Sequence, residues 1–320
     1  MSTFEQVEMV SEAPPSTSGA PRLLRRIARR PVAVGAIVVI VTIYGLGILA
    51  PLIAPYGFQD ADLEHIREGP SREHLLGTDH IGHDLLSRAI WSAQTTVIIS
   101  MTVLVSAGLI LGTSLGLLSG YKRGKTDFII MRLGDIFVSV PTILLLLIIN
   151  ASLRDRVDQW VGGLAEVTGI AWLNEPGVAS YFLVFGALSM FGWVGIARLV
   201  RSQVLALRES SYVASAEATG ASTPRILIHH LLPNVSNLLI VSLTISLGAV
   251  AAAEVTLSFL GIGIQDRPTF GLMISEAVGL GNIREHPHMM LVPAVFIIAL
   301  VLSFNLLGDQ LTDVLSPRRR

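Results

Sequence analysis

SAEATGASTPRILIHHLLPN, residues Ser215–Asn234, is an island of small and polar side chains in an otherwise apolar neighbourhood. Upstream lies VASYFLVFGALSMFGWVGIA, Val178–Ala197. Downstream lies LLIVSLTISLGAVAAAEVTLSFL, Leu238–Leu260. Each flank is long enough to cross a ~30 Å hydrocarbon layer at ~1.5 Å per residue. Four further runs of comparable character occur at Val32–Ile53, Thr95–Leu118, Leu133–Ile149 and Met290–Leu307. The pattern predicts an all-α integral membrane protein with six transmembrane helices. Composition agrees: 51% of the 320 residues are hydrophobic and only 15% charged, where a soluble domain carries ~25% charge. The mean hydropathy is +0.63.

Lys and Arg set the expected orientation. With the N-terminus inside, the inner segments hold the cluster Arg22, Arg25, Arg26, Arg29 and Arg30, the turn residues Lys122, Arg123 and Lys125, and Arg198, Arg201, Arg208 and Arg225. They end on Arg318, Arg319 and Arg320. The outer segments are poorer in cations, and the first carries Asp60, Asp62, Glu64, Glu68, Glu73, Asp79 and Asp84. Both termini and the island are therefore expected in the cytoplasm. The first twenty residues are polar, acidic and rich in Pro, Ser and Thr, which predicts a disordered tail. No basic region begins the chain, and the first apolar run is too long for a cleaved signal, so that run is expected to stay as an anchor. The organisation read from this is a tail at 1–21 and a segment with the first span at 22–60. An external loop with a lead-in helix at 61–94, a transmembrane domain at 95–312 and a cytoplasmic tail at 313–320 follow.

Several functions are excluded or disfavoured. There is no cysteine, so zinc–thiolate sites, disulfides and thiol catalysis drop out. No basic domain interleaved with aromatics points to nucleic acid. GYKRGKT, Gly120–Thr126, is a near miss for a phosphate loop: Ser119 stands where the first glycine is needed, and no strand precedes it. No nucleophile–base pair, carboxylate dyad or metal-hydrolase motif stands out. His65, His74, His80, His83, His286 and His288 fall in outer segments. They read as solvated loop residues rather than metal ligands, and no metal site is expected.

Other residues remain candidates. Gly108, Gly112, Gly116 and Gly120 recur every four positions, which places them on one helix face and predicts a close seam with a neighbouring helix or subunit. Glu254 lies deep in an apolar run; it either lines a pathway or bonds to another helix. Arg132 and Asp135, three apart, predict an ion pair on one helical face, and Pro141 predicts a kink in the third span. In the island, Glu209–Thr219 favours helix and Gly220 a turn. Ser222 offers an N-cap, Pro224 a first helical turn, and Ile226–Leu232 a second short helix ending toward Pro233. Two short helices with a bend fit either a docking element or an ordinary cytoplasmic loop.

The stretch YVASAEATGASTPRILIHHLLPN, Tyr212–Asn234, resembles the cytoplasmic coupling motif of ATP-binding-cassette (ABC) importer permeases, in which Glu-Ala-Ala, three residues and Gly precede a hydrophobic-x-Leu-Pro ending. Gly220 matches the glycine, Ala216 the second alanine, and Leu232 and Pro233 the ending. Ala214 stands where the family has its acid and Ser215 at the first alanine; Glu217 is displaced from the motif position. GTDHIGHDLLSR, Gly77–Arg88, resembles a signature of the second permease subunit of dipeptide and oligopeptide importers, with His83 in place of an arginine. WVGIARLVRSQVL, LSFLGIGIQDRPTFG and NLLGDQLTDVLSPR follow the same subfamily. The resemblance implies a type I ABC importer permease fold in a prokaryotic cell membrane. Its partners would be a second homologous permease, two ATP-binding subunits and an extracytoplasmic substrate-binding protein. ATP and Mg would sit on the partner ATPases, with no cofactor on this chain. Coupling helices are expected at about 209–232, with Tyr212, Val213, Ala214, Ser215, Ala216, Ala218, Gly220, Ala221, Leu232 and Pro233 at the ATPase contact. Short peptides are the expected cargo. A nickel or nickel-chelate importer, or an ion-driven carrier motivated by Glu254, are the alternatives. Ser152–Gly177, longer than the family pattern leads one to expect, suggests an external interfacial helix.

Overall fold

A computed structural model describes residues 25–175, 177–278 and 282–315. The expected N-terminal tail and Arg318, Arg319 and Arg320 lie outside them. The main helices are α1 (Pro31–Ile48), α2 (Leu85–Lys122), α3 (Gly124–Ser139), α4 (Thr142–Thr168), α5 (Val178–Leu207), α6 (Ser211–Ala218), α7 (Thr223–Phe259), α8 (Phe270–Ala277) and α9 (Pro287–Leu315). Among the described residues the only β pairing is two isolated bridges, Ala61 with His83 and Thr78 with Asp84. α1, α2, α5, α7 and α9 are long and apolar enough to cross a membrane; α3 and α4 make a sixth crossing if the bent pair counts as one span. α2 has 38 residues, about 57 Å of helix at 1.5 Å per residue. It therefore extends beyond a ~30 Å hydrocarbon layer, and its ends reach the two polar faces of the bundle.

The third span differs from the expected kinked helix over Leu133–Ile149. The chain breaks there, and the two helices meet at 87°. Val140 is extended, as the residue before a proline prefers, and Pro141 stands outside the helix that starts at Thr142. α4 then runs on to Thr168 and ends at Gly169, whose φ of 68° is left-handed. The long segment after the third span is thus the end of α4, followed by a short 3-10 turn at Ala171–Asn174. Asn150 Nδ2 donates to Ile262 O at 2.8 Å and ties α4 to the loop after α7.

Between apolar helices in lipid, association rests on close packing rather than on escape from water. The glycine row on α2 meets this need against α5. A Cβ at Gly112 would lie 2.8 Å from that of Ile196; at Gly116, 2.7 Å from Ala197 O and Val200 Cβ; at Gly120, 2.7 Å from Val204 Cβ. Gly108 faces Leu243 of α7 instead. Leu104–Gly112 is a π-helical stretch, which rotates the face of α2 by the inserted residue and accounts for the change of neighbour at Gly108. Gly116→Val is expected to destabilise the chain by about 1–3 kcal/mol through overpacking. Gly186→Val, where nothing lies within 4 Å, should leave the thermal midpoint of the detergent-purified protein nearly unchanged.

The remaining core joins α1, α2, α7, α8 and α9 through Ile43, Val97, Ala251, Phe270 and Phe304. At the opposite pole Leu117, Val200 and Val204 of the α2–α5 seam continue into Val213, Ala216, Ile226 and Leu231. The island is therefore packed onto the end of the bundle, not suspended from it.

Candidate functional site

The island folds as a helix, a glycine turn and a second helix. α6 ends in a Schellman motif: Gly220 N–H donates to Glu217 O at 2.9 Å and Ala221 N–H to Ala216 O at 3.0 Å. Gly220 has φ of 78°, a conformation that a side chain resists. Ser222 stands at the N-cap of the next helix with extended backbone, but its hydroxyl makes no capping bond; Pro224 lies in the first turn. The expected second short helix does not end at Pro233. A π-helical stretch over Ile226–Leu231 leads directly into the α-helix that begins at Leu232. The wider turn changes the hydrogen-bond register ahead of the proline, so the missing N–H of Pro233 does not stop the helix.

The ten residues expected at the ATPase contact divide by exposure. Val213 is fully buried and Ala216 is 7% exposed; three apart, they face the bundle. Tyr212, Ala214, Ser215, Ala218, Gly220 and Pro233 are exposed, while Ala221 and Leu232 are half-buried. A groove of about 840 Å³ runs along this outer side, lined by Tyr212, Ser215, Thr219, Gly220, Arg225 and His230 among others. Ala214, standing for the family acid, is on the exposed side and brings no charge to it.

A polar clamp that the sequence did not reveal holds the island in place. Tyr121 Oη donates to Glu217 Oε1 at 2.8 Å. Arg208 Nη1 donates to Tyr121 O at 2.8 Å, and Arg123 pairs with Glu209 at 2.8 Å. GYKRGKT is thus the anchoring turn for the island. Nearby, Asp135 pairs with Arg198 of α5 at 2.7 Å, not with Arg132 as helical spacing suggested. Asp127 of α3 accepts from Arg201 of α5 at 2.5 and 2.6 Å.

Glu254 is fully buried in α7. It accepts from Thr96 Oγ1 of α2 at 3.2 Å and from Ser258 Oγ at 3.0 Å. Both carboxylate oxygens are therefore engaged, one of them across the α2–α7 contact.

At the other pole, Gly77–Arg88 forms a knot of polar contacts. Gly77 and Gly82 have φ of 84° and 90°, turning the chain tightly. Asp79 Oδ1 accepts from the N–H groups of Ile81 and His83 at 2.9 Å each. Its Oδ2 meets His83 Nδ1 at 3.0 Å and Arg88. Burial pushes the Asp79 carboxyl up, but the His83 hydrogen bond and the Arg88 charge outweigh it and hold it below the usual carboxylate range. Arg88, itself buried, also donates to Glu276 of α8 at 2.6 Å. Asp84 caps α2, accepting from Ser87 N–H and Oγ at 2.7 Å each. Of the six outer histidines, His74 is buried, contrary to the expectation of solvated loop side chains; its ring meets Asp84 Oδ1 at 3.2 Å.

A multi-span helical bundle with a packed helix–turn–helix at one pole and a structured polar cap at the other has the architecture of a membrane permease. Residues 112–320 match the family of binding-protein-dependent transport system inner membrane components. Residues 22–70 match the N-terminal transmembrane domain of oligopeptide transport permease C. The oligopeptide transport system permease protein OppC of Bacillus subtilis is 30% identical over 92% of this chain and 88% of its own. The dipeptide transport system permease protein DppC of Alkalihalophilus pseudofirmus is 32% identical over 92% and 89%. The glutathione transport system permease protein GsiD of Pectobacterium atrosepticum is 33% identical over the same shares. The chain belongs to the binding-protein-dependent transport permease family, the membrane component of ABC importers.

Proposed function

We propose that the chain is one permease subunit of an ATP-driven importer for short peptides, in a prokaryotic cell membrane with both termini cytoplasmic. α6, Gly220 and the first turns of α7 are the place where one of two ATP-binding subunits docks. A second, homologous permease completes the membrane pathway, and an extracytoplasmic binding protein delivers the cargo. ATP and Mg belong to the partner subunits. The observation that carries this reading is the two-sided build of the island. Its inner side, Val213 and Ala216, is continuous with the α2–α5 seam, while its outer side presents a groove. A displacement applied from outside passes into the transmembrane helices through packed side chains. Peptide as cargo follows the relatives, whose names specify oligopeptides, dipeptides and glutathione. The test is reconstitution with the partner subunits: peptide-loaded binding protein should stimulate ATP hydrolysis and uptake together.

The enclosed setting of Glu254 supports a pin between α2 and α7 over a proton-carrying role. Glu254→Gln keeps the shape and the acceptor oxygen that Thr96 uses. It should leave ATP-dependent uptake within roughly twofold, since a hydrogen bond of this kind is worth about 1 kcal/mol net. Uptake by the chain without any ATPase, driven by a proton gradient and abolished in Glu254→Gln, would instead establish an ion-driven carrier.

A further inference from the structure

We propose that Asp62, His65 and His74 form a binding site for one zinc-class divalent cation, which staples the external segment between α1 and α2. The inference rests on the three side chains and the groups behind them, independently of the transported cargo. Asp62 Oδ2 lies 2.8 Å from His65 Nδ1 and 3.7 Å from His74 Nε2. All three ligand atoms fall within 4.8 Å of one another. Tetrahedral zinc with ligand bonds of ~2.0–2.1 Å sets its ligand atoms about 3.3 Å apart. The observed spacings bracket that value, and two of the side chains are partly exposed and able to adjust.

The groups behind the ligands strengthen the case. A metal-binding imidazole usually donates its other N–H to a carboxylate or carbonyl, which fixes the ring and raises its basicity. His74 already meets this condition: Nδ1 sits 3.2 Å from Asp84 Oδ1, leaving Nε2 for the ion. Asp84 is in turn held by its capping bonds to Ser87. When His65 Nδ1 binds the ion, its ring carries the proton on Nε2 instead. That nitrogen lies 3.9 Å from Glu68 Oε2, a buried carboxylate oxygen with no hydrogen-bond partner. Both side chains are partly exposed, and a shift of about 1 Å would bring the Nε2 N–H into hydrogen-bond range of that acceptor. Asp62 Oδ1 is meanwhile fixed by the N–H of Glu64 at 3.0 Å. A cavity of about 430 Å³, lined by Tyr56, Asp60, Asp62, Glu64, His74 and Asp84 among others, adjoins the cluster and has room for water as a fourth ligand.

The second cluster of the same pole makes a useful contrast. Asp79, His80 and Glu276 also converge, but the Arg88 guanidinium is bonded to both carboxylates. Arg88 already supplies the cation there. Among the described residues, Asp62 has only His65 and His74 as ion-pair partners. The segment has no cysteine and is held by turns rather than by regular elements: Asp62 N–H donates to Gly82 O at 3.0 Å and Thr78 N–H to Glu68 O at 3.0 Å, and an ion at Asp62, His65 and His74 would add a side-chain tie between those turns. Metal binding that closes such a loop contributes directly to the stability of the folded form.

The test uses the full chain, purified in detergent without a histidine tag and stripped with a chelator. Zinc is titrated against a chromophoric competitor. The expected result is one equivalent bound at micromolar affinity or tighter. His65→Ala and Asp62→Asn, both at partly exposed positions, should weaken it at least a hundredfold. Glu68→Gln should weaken it about tenfold, as loss of a supporting partner does, and His83→Ala should leave it intact. Zinc should also slow proteolysis within residues 54–84 in the wild type but not in Asp62→Asn. Absence of stoichiometric binding overturns the proposal, as does equal affinity in wild type, His65→Ala and Asp62→Asn.

Discussion

Gly220→Pro is expected to uncouple transport from ATP hydrolysis, lowering peptide uptake by the assembled transporter by roughly a hundredfold or more. Proline holds φ near −65°, whereas Gly220 has φ of 78°. The substitution also removes the N–H that closes the α6 turn on Glu217. A backbone conflict of this kind costs about 3 kcal/mol or more, a factor of ~100 or more in the population of the native turn at 1.4 kcal/mol per decade. Gly220→Ala, which retains the N–H, should cost about 1 kcal/mol and leave most of the coupling. The outer side of the island can be probed without disturbing its anchorage. Ser215→Trp adds bulk where the side chain is exposed, whereas bulk at Ala216 would strike the bundle itself. Ser215→Trp should therefore abolish peptide-stimulated hydrolysis while the thermal midpoint of the isolated chain stays near wild type. Normal coupling in both Gly220→Pro and Ser215→Trp would remove the docking role of the island.

Arg88→Ala should be the most damaging change at the external pole, costing about 3–5 kcal/mol. It leaves Asp79 buried with only His83 and two backbone N–H groups as partners, and strips Glu276 of its cation. The consequence should appear as a lower thermal midpoint in detergent and faster cleavage within residues 54–84. pH sharpens the expectation. Asp79 is held below its ordinary value, near ~3.9 for an unperturbed aspartate. Its contribution is thus fully present above that pH and is lost as pH falls through the lower, folded value. In the wild type the external network should survive mild acid, and the variant should lose stability at a higher pH. A loss under 1 kcal/mol in Arg88→Ala, with unchanged proteolysis, would contradict the account of this network.

Local signals in the sequence translated well where the structure they specify is local. Gly220 followed by Ser222 and Pro224 marked the turn between α6 and α7, because a left-handed glycine and a helix-starting proline act over a few residues. Three of the period-four glycines, Gly112, Gly116 and Gly120, marked the face of α2 that meets α5; Gly108, expected on the same face, lies in the π-helical stretch and turns toward α7, which spacing did not display. Pro141 and Pro233 looked alike as interruptions and behaved differently. Pro141 follows an extended Val140 and splits two helices at 87°, whereas Pro233 follows a π-helical stretch and lies inside a continuous one. Backbone register upstream decides between these outcomes, and a single sequence does not display it. Partner choice was the least legible feature. Asp135 has Arg132 at helical distance yet pairs with Arg198, and Arg88 meets Glu276 across 188 positions of chain. The same holds for the cluster of Asp62, His65 and His74: the i, i+3 pair is visible in sequence, but the third member arrives only through folding of the loop.

In the proposed transporter, the outer side of the island is where a separate ATPase takes hold. The chain has no cysteine, so Ser222→Cys, exposed beside the groove but not lining it, provides a single attachment point for a photoactivatable crosslinker. In the assembled transporter, illumination should join this chain to an ATP-binding subunit, and the yield should change between nucleotide-free and ATP-bound conditions. Failure to capture an ATP-binding subunit from position 222 in a transporter that still hydrolyses ATP in response to peptide would contradict the docking role of the island.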